Sequence, residues 1–315
     1  MVPQGSLILV TGAAGFIGSH LCEALIMRGY RVRGADRIAL KDAPNLATLK
    51  DKQFEFAQGD ASDPAVARKA ATGAAAILHH AAMASVPQSI ADPAAAHRDT
   101  ATTTLHLLAA ARETGVKRFV LASSAAVYGD ALKLPVREDI QLAPKSPYAA
   151  AKIASEAYVS AFSRLGVEGI SLRYFNVFGP RQSPQSSYAG VVTQFVHRIL
   201  KGEELVIFGD GEQTRDFIDV ADVVRANLLA LEAPSLGGAA VNIATGKAIS
   251  IAELVEVLGE ICGKQPKVSK KPARAGDIKA SCADVSLAKR LLGFVPGADL
   301  KAGLRRAVEW LRSAK

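Results

Sequence analysis

With 315 residues, 49% of them hydrophobic and 22% charged, the chain has the make-up of a soluble globular protein with interior enough to bury a cofactor, which excludes peptide, fibrous and disordered classes. Cys22, Cys262 and Cys282 stand far apart with no pairing or metal-binding motif, so a reducing, cytosolic setting is expected, with no disulfide framework and no metal site. Thirty-eight basic against 30 acidic residues leave a formal charge of +8, which favours an anionic partner; no basic run is interleaved with aromatics, so nucleic acid is not expected.

In chain order, short apolar β-branched runs alternate with alanine-rich segments. The pattern predicts strands at 7–10, 31–35, 54–58, 75–79, 119–122 and 170–173, and helices at 15–28, 63–71, 93–113 and 148–165. Several of these strands are apolar at nearly every position, as a sheet covered on both faces requires. Past Arg173 the rhythm changes: Gly179, Pro180 and Pro184 mark a loop, helices are expected at 191–201, 220–232 and from about Ser250, and a strand at 241–243. The expected class is therefore α/β, a doubly wound parallel sheet with a smaller, interleaved C-terminal lobe. We place the first domain at 1–175, with 216–244 returning to it, and the lobe at 176–215 and 245–315. No apolar run approaches the roughly 18 residues of a membrane helix, and Val10 leads directly into Thr11 and Gly12 where a signal peptide would have its cleavage region, so neither feature is expected.

The first strand runs into Thr11-Gly12-Ala13-Ala14-Gly15-Phe16-Ile17-Gly18 and then a helix. In that context Gly12 lets the chain turn, Gly15 lets backbone amides approach a dinucleotide pyrophosphate, and Gly18 lets helix and strand pack closely. Asp36 ends the second strand, where a carboxylate can take both ribose hydroxyls; this points to NAD, although Arg37 beside it could hold a 2′-phosphate. Asp60, after the third strand, has two readings: a partner for the adenine edge, or a turn or cap aspartate in Gly59-Asp60-Ala61-Ser62-Asp63.

Tyr148 and Lys152 lie one turn apart on one face of a predicted helix, so the ammonium is expected to lower the phenol's pKa and make Tyr148 a base near neutral pH. Ser123 and Ser124 stand at the carboxyl end of the fifth strand, the edge where such sheets collect ligands; a strand-end turn or cap is the competing reading.

Together these motifs resemble the extended short-chain dehydrogenases/reductases, and within them the nucleotide-sugar 4-epimerases. The resemblance runs through residues 11–18, His79-His80-Ala81-Ala82, Ser123-Ser124-Ala125-Ala126-Val127-Tyr128-Gly129, Ser146-Pro147-Tyr148 with Lys152, and Arg173-Tyr174-Phe175-Asn176-Val177-Phe178-Gly179-Pro180. It continues through Phe208-Gly209-Asp210-Gly211, Thr214-Arg215-Asp216-Phe217 and Arg274-Ala275-Gly276-Asp277.

The resemblance implies that Tyr148 takes the proton of the sugar 4-hydroxyl while hydride passes to a retained NAD, that Ser124 bonds the same oxygen, and that Lys152 holds the nicotinamide ribose. It further implies that Gly12, Gly15, Phe16, Ile17, Gly18, Asp36, Asp60, Ala61 and Ala81 contact the cofactor. Asn176, Arg215 and Arg274 would grip the diphosphate of a UDP-sugar, Phe208 would stack on the base, and Ser85, Asp277 and Ser281 would complete the substrate site. For Arg215 a surface ion pair with Asp216 or Asp219, and for Phe208 a core position, are the competing readings. His79 and His80 are expected to be structural. Alanines at 125 and 126, where related dehydratases and decarboxylases carry an acid, favour simple epimerisation. By the same resemblance, small Ser281 leaves room for an N-acetyl group, so both the plain hexose pair and the N-acetylated pair are expected. Met83-Ala84-Ser85 lacks the lysine of some hexose epimerases, and 182–188 lacks the charge a uronate would want. A homodimer through the helices at 93–113 and 148–165 is implied too. The remaining alternatives are UDP-glucuronate 4-epimerisation, 4,6-dehydration, and a regulator that binds NAD without chemistry.

Overall fold

The computed structural model describes residues 2–49, 52–131, 133–186, 190–273 and 278–313. Its large sheet contains β1 (Leu7–Thr11), β2 (Arg31–Asp36), β3 (Phe54–Gln58), β4 (Ala76–His79), β5 (Arg118–Ser124) and β6 (Glu168–Tyr174). After β7 (Asn176–Phe178), β8 (Leu205–Phe208) and β9 (Thr214–Asp219), the strand β10 (Ala240–Ile243) returns to that sheet. All seven strands are parallel, in the order β10-β6-β5-β4-β1-β2-β3.

Alternation along the strands feeds two cores. Ile8 and Val10 of β1 join one cluster with Leu78, Val120 and Ile170, while Leu9 joins the other with Ile77, Phe119 and Leu121. The helices that cover these faces are α1 (Phe16–Met27), α2 (Pro64–Ala71), α3 (Val86–Ala91), α4 (Pro93–His97), α5 (Thr103–Thr114) and α6 (Pro147–Ser163). Further along the chain, α7 (Val191–Lys201) belongs to the smaller core, whereas α8 (Val220–Glu232) packs on α1.

The helix expected at 93–113 is two helices in the structure. Asp92 accepts the Ala95 amide at 2.9 Å and starts α4, and a π-helical turn over Arg98–Thr102 separates α4 from α5. Threonine hydroxyls account for the break: Thr103 Oγ1 donates to the Arg98 carbonyl at 3.0 Å and Thr104 Oγ1 to the Thr100 carbonyl at 2.7 Å, competing with the regular ladder.

Beyond the large sheet lie α9 (Ile251–Cys262), α10 (Ser286–Leu292) and α11 (Leu300–Ser313), with two small sheets. One sets β9 between β7 and β11 (Ala248–Ser250); the other pairs β8 with β12 (Val268–Lys271). Their core is separate: Phe195, Ile199, Ile207, Phe217, Leu254 and Leu304 are buried together. Among the described residues no helix is long and apolar enough to cross a membrane.

Candidate active site

The strand order reverses between β1 and β4, and a cleft of about 670 Å³ opens there at the carboxyl ends of the strands. Gly12, Gly15, Phe16, Ile17, Gly18, Asp36, Asp60, Ala61, Ala81, Tyr148 and Lys152 all line it. The glycines are needed as glycines. Gly12 has φ +69°, and a Cβ there would stand 2.8 Å from the Ala81 amide nitrogen; one on Gly18 would stand 2.1 Å from the Gly12 carbonyl oxygen. Gly15 precedes α1 with no side-chain cap, and no acid occupies the first turn, so the positive end of this helix faces the cleft ready for an anion.

Asp36 is fixed by two amides, Ala14 at 3.0 Å and Ile38 at 3.1 Å, which hold the carboxylate at the mouth of the cleft. Asp60 accepts the Ser62 amide at 2.9 Å, and that bond holds its carboxyl below the usual range; the helix cap is Asp63, not Asp60, so Asp60 is a turn aspartate that also lines the cleft. The cleft, its glycine cradle and its paired-hydroxyl acceptor fit a dinucleotide.

Thr11 ties the floor together. Its hydroxyl lies 2.7 Å from His79 Nδ1 and accepts the amides of His80 and Ala81, both at 3.2 Å. His79 reaches Thr104 with its other nitrogen at 3.1 Å, and His80 Nε2 lies 3.0 Å from the Tyr174 hydroxyl. Burial pushes both imidazoles well down, His80 to about 3, so they are neutral packing groups.

The tyrosine and lysine of α6 are placed by local chemistry. Ser146 caps the helix through the Ala149 amide and Pro147 opens it. Burial pushes the Tyr148 phenol up, opposed by a hydrogen bond from Ser124. This differs from the lowering expected of Lys152, for a geometric reason: the ammonium lies 5.9 Å from the Tyr148 ring centroid and donates to the Ala122 carbonyl at 2.5 Å. Lys152 itself is pulled down to about 8 by burial, with the charge of Glu156 acting the other way.

Ser124 Oγ accepts the Ala126 amide at 3.2 Å and caps the 3-10 turn Ala125–Tyr128, so the cap role and the place beside Tyr148 coincide in one residue. Ser123 points the other way and donates to Glu156 at 2.5 Å. Glu156 in turn takes a forked pair from Arg173 at 2.9 and 2.6 Å, and Arg173 donates to the Tyr128 hydroxyl at 2.9 Å. Nothing in our sequence reading flagged Glu156, although it lies one turn past Lys152 on the same helix.

A second cavity of about 230 Å³ adjoins the first, with Tyr174 lining both. Ser124, Asn176, Arg215 and Ser281 line it, from β5, β7, β9 and the chain after β12. Asn176 donates to the Asp216 carbonyl at 3.0 Å. The buried Asp216 carboxylate accepts Thr245, Gly246 and Ala283 amides at 2.9, 2.9 and 3.2 Å, and burial pushes its pKa up. Asp219 accepts from Arg306 at 2.7 Å. Ala125 and Ala126 also line this cavity, and among its described lining residues Arg215 is charged and none is acidic. Ser85 and Phe208 are not among them: Ser85 is buried as the cap of α3, accepting the Gln88 amide at 3.3 Å, and Phe208 ends β8 opposite Lys271. Arg274 and Asp277 lie outside the described residues.

A seven-stranded doubly wound sheet with this glycine cradle, and a tyrosine, lysine and serine at its ligand edge, defines an α/β dinucleotide-binding protein of the reductase type. A family model described as the NAD dependent epimerase/dehydratase family matches residues 8–244. The UDP-glucose 4-epimerase of Mycolicibacterium smegmatis is 37% identical, over 97% of this chain and 98% of its own length. The solved UDP-N-acetylglucosamine 4-epimerase of Methanobrevibacter ruminantium, in complex with UDP-N-acetylmuramic acid, superposes with a TM-score of 0.94 at 36% identity, covering 99% of this chain and 100% of that one. The UDP-glucuronic acid 4-epimerase of Bacillus cereus, solved with UDP-glucuronic acid and NAD, gives 0.91 at 31% identity, covering 98% and 100%. The chain belongs to the NAD-dependent epimerase/dehydratase family, whose cofactor is NAD.

Proposed function

We propose that the protein is a UDP-sugar 4-epimerase that interconverts UDP-glucose with UDP-galactose, and the corresponding N-acetylated pair, through a transient 4-keto sugar. The observation that carries this reading is the seam between the two cavities, where Tyr148 on the cofactor cleft stands beside Ser124 on the adjoining cavity. Bound NAD supplies the acceptor and donor of hydride at C4. Tyr148 takes the proton of the 4-hydroxyl and returns it. Because Ser124 Oγ already accepts the Ala126 amide, its own O–H is available to donate to the shared oxygen. Lys152, anchored on the Ala122 carbonyl in the cofactor cleft, would hold the nicotinamide ribose. Arg215 and Asn176, on the wall of the second cavity, grip the diphosphate, and Arg274 and Asp277 are proposed as further substrate ligands by the family resemblance.

The absence of acids among the described residues of that cavity supports epimerisation over dehydration, which needs a proton donor for the departing hydroxyl. Ser281 on the cavity wall supports acceptance of the N-acetyl group. The reading includes a homodimer through α5 and α6, where Ala150, Ala157 and Ala161 are exposed on one side of α6. Incubation with UDP-glucose, UDP-N-acetylglucosamine and UDP-glucuronate without added NAD, followed by separation of the epimers, tests it. Conversion of the first two at constant product mass is expected; loss of the mass of water, or turnover of the glucuronate alone, would displace this reading.

A further inference from the structure

One ion pair at the cofactor cleft is not explained by epimerisation. Asp99, in the π-helical turn between α4 and α5, lines the cleft and is 8% exposed. Each of its oxygens takes a guanidinium: Oδ2 accepts Arg37 Nη1 at 3.1 Å and Oδ1 accepts Arg98 Nε at 2.9 Å. Arg37 follows Asp36 directly, also lines the cleft, and keeps 58% of its side chain exposed. The pair thus spans from the end of β2 to the start of α5 at the end of the cleft where Asp36 and Asp60 present their carboxylates.

The cation beside a ribose-binding carboxylate is the group that would accept a 2′-phosphate. Here it is turned to a carboxylate with little access to water, where an ion pair is screened far less than at the surface. Releasing Arg37 to a phosphate would leave Asp99 with Arg98 alone, and the phosphate would still meet the fixed charge of Asp36. Lys69 also lines the cleft, but from the exposed face of α2.

We propose that Asp99 is a positioning residue for cofactor choice: by holding Arg37 it withholds that cation from a 2′-phosphate, so the cleft takes NAD and rejects NADP. The proposal rests on the dinucleotide reading of the cleft. It involves no bond making or breaking and adds a residue the glycine turn and Asp36 do not supply.

The test is calorimetric titration of nucleotide-free full-length protein with NAD and with NADP, for wild type, Asp99→Asn, Arg37→Ala and the double variant. Asp99→Asn is expected to tighten NADP by about tenfold, equal to one 1.4 kcal/mol step, and to change NAD by no more than about threefold. Arg37→Ala alone should leave NADP binding unchanged, because the arginine is already engaged; added to Asp99→Asn, it should abolish the gain. A weakening of NADP by Arg37→Ala in the wild-type background would overturn the proposal, as would an unchanged NAD-to-NADP ratio in Asp99→Asn. If Asp99→Asn fails to fold, Asp99→Ser takes its place with the same expected gain for NADP and the same loss of that gain on adding Arg37→Ala. Failure of wild type to bind either nucleotide would instead sink the reading of the cleft.

Discussion

In the cofactor cleft, each fixed group is tied to a neighbour a strand or a turn away: Asp36 to Ala14 and Ile38, Asp60 to Ser62, Thr11 to His79, His80 and Ala81. The second cavity is assembled from β5 of the large sheet, β7 and β9 of a small one, and the residues around Ser281; the buried Asp216 carboxylate of β9 ties in the chain at Thr245, Gly246 and Ala283. The first region is a rigid cradle made by adjacent strand ends; the second is a junction of distant segments. On the proposed reading the cradle keeps NAD in place through turnover, while the junction of segments takes the UDP-sugar.

The sharpest way to break the comparison is at the seam. Tyr148→Phe removes the proton acceptor and leaves the ring in the wall of the cleft, so epimer interconversion should fall by about 10²–10⁴-fold while the variant still co-purifies with NAD. Activity within a factor of about two of wild type would remove Tyr148 from the chemistry.

A change confined to the cradle should act on every substrate alike. In Gly18→Ala the new methyl must displace the Gly12 carbonyl oxygen 2.1 Å away. We expect a stability loss of about 1–3 kcal/mol, seen as a lower melting temperature, together with poor NAD retention on gel filtration.

In the second cavity the effect should be selective. Ser281→Tyr is expected to slow the N-acetylated pair by about tenfold relative to UDP-glucose, measured as a ratio of kcat/KM values. Equal loss on both pairs would mean that the residue shapes the wall without choosing the sugar.

The smallest expected effect is in pH. Lys152, pulled down to about 8 by burial, is charged below that value and loses its proton as pH rises through it. Since the ammonium is the form that donates to the Ala122 carbonyl and would also reach the nicotinamide ribose, activity should decline on the alkaline side, with about half of the lysine-dependent rate gone near pH 8. A flat profile to pH 10 would show that the bound cofactor, not Lys152, sets the charge at the site.

The cradle was legible because its parts are local. Three glycines after a strand, a carboxylate ending the next strand, and a tyrosine and lysine four apart are sequence neighbours or occupy equivalent strand ends, and the parallel register carries them to one edge. The same reasoning missed Asp99, because alanines and threonines at 94–104 read as uninterrupted helix and the π-helical turn depends on hydroxyls bonding carbonyls four and five residues back. It also missed Glu156, whose partners Ser123 and Arg173 come from the neighbouring strands β5 and β6.

By itself, the order of residues determined the doubly wound sheet, the dinucleotide turn and the tyrosine-lysine helix, since each rests on backbone geometry or side-chain periodicity within one element. Tertiary structure alone decided that Lys152 turns to the Ala122 carbonyl while burial raises Tyr148, and that Arg37 is drawn to Asp99. Those outcomes depend on which charges lose water and which partners face them after packing, and neither quantity exists until segments up to 62 residues apart, as Arg37 and Asp99 are, have been brought together.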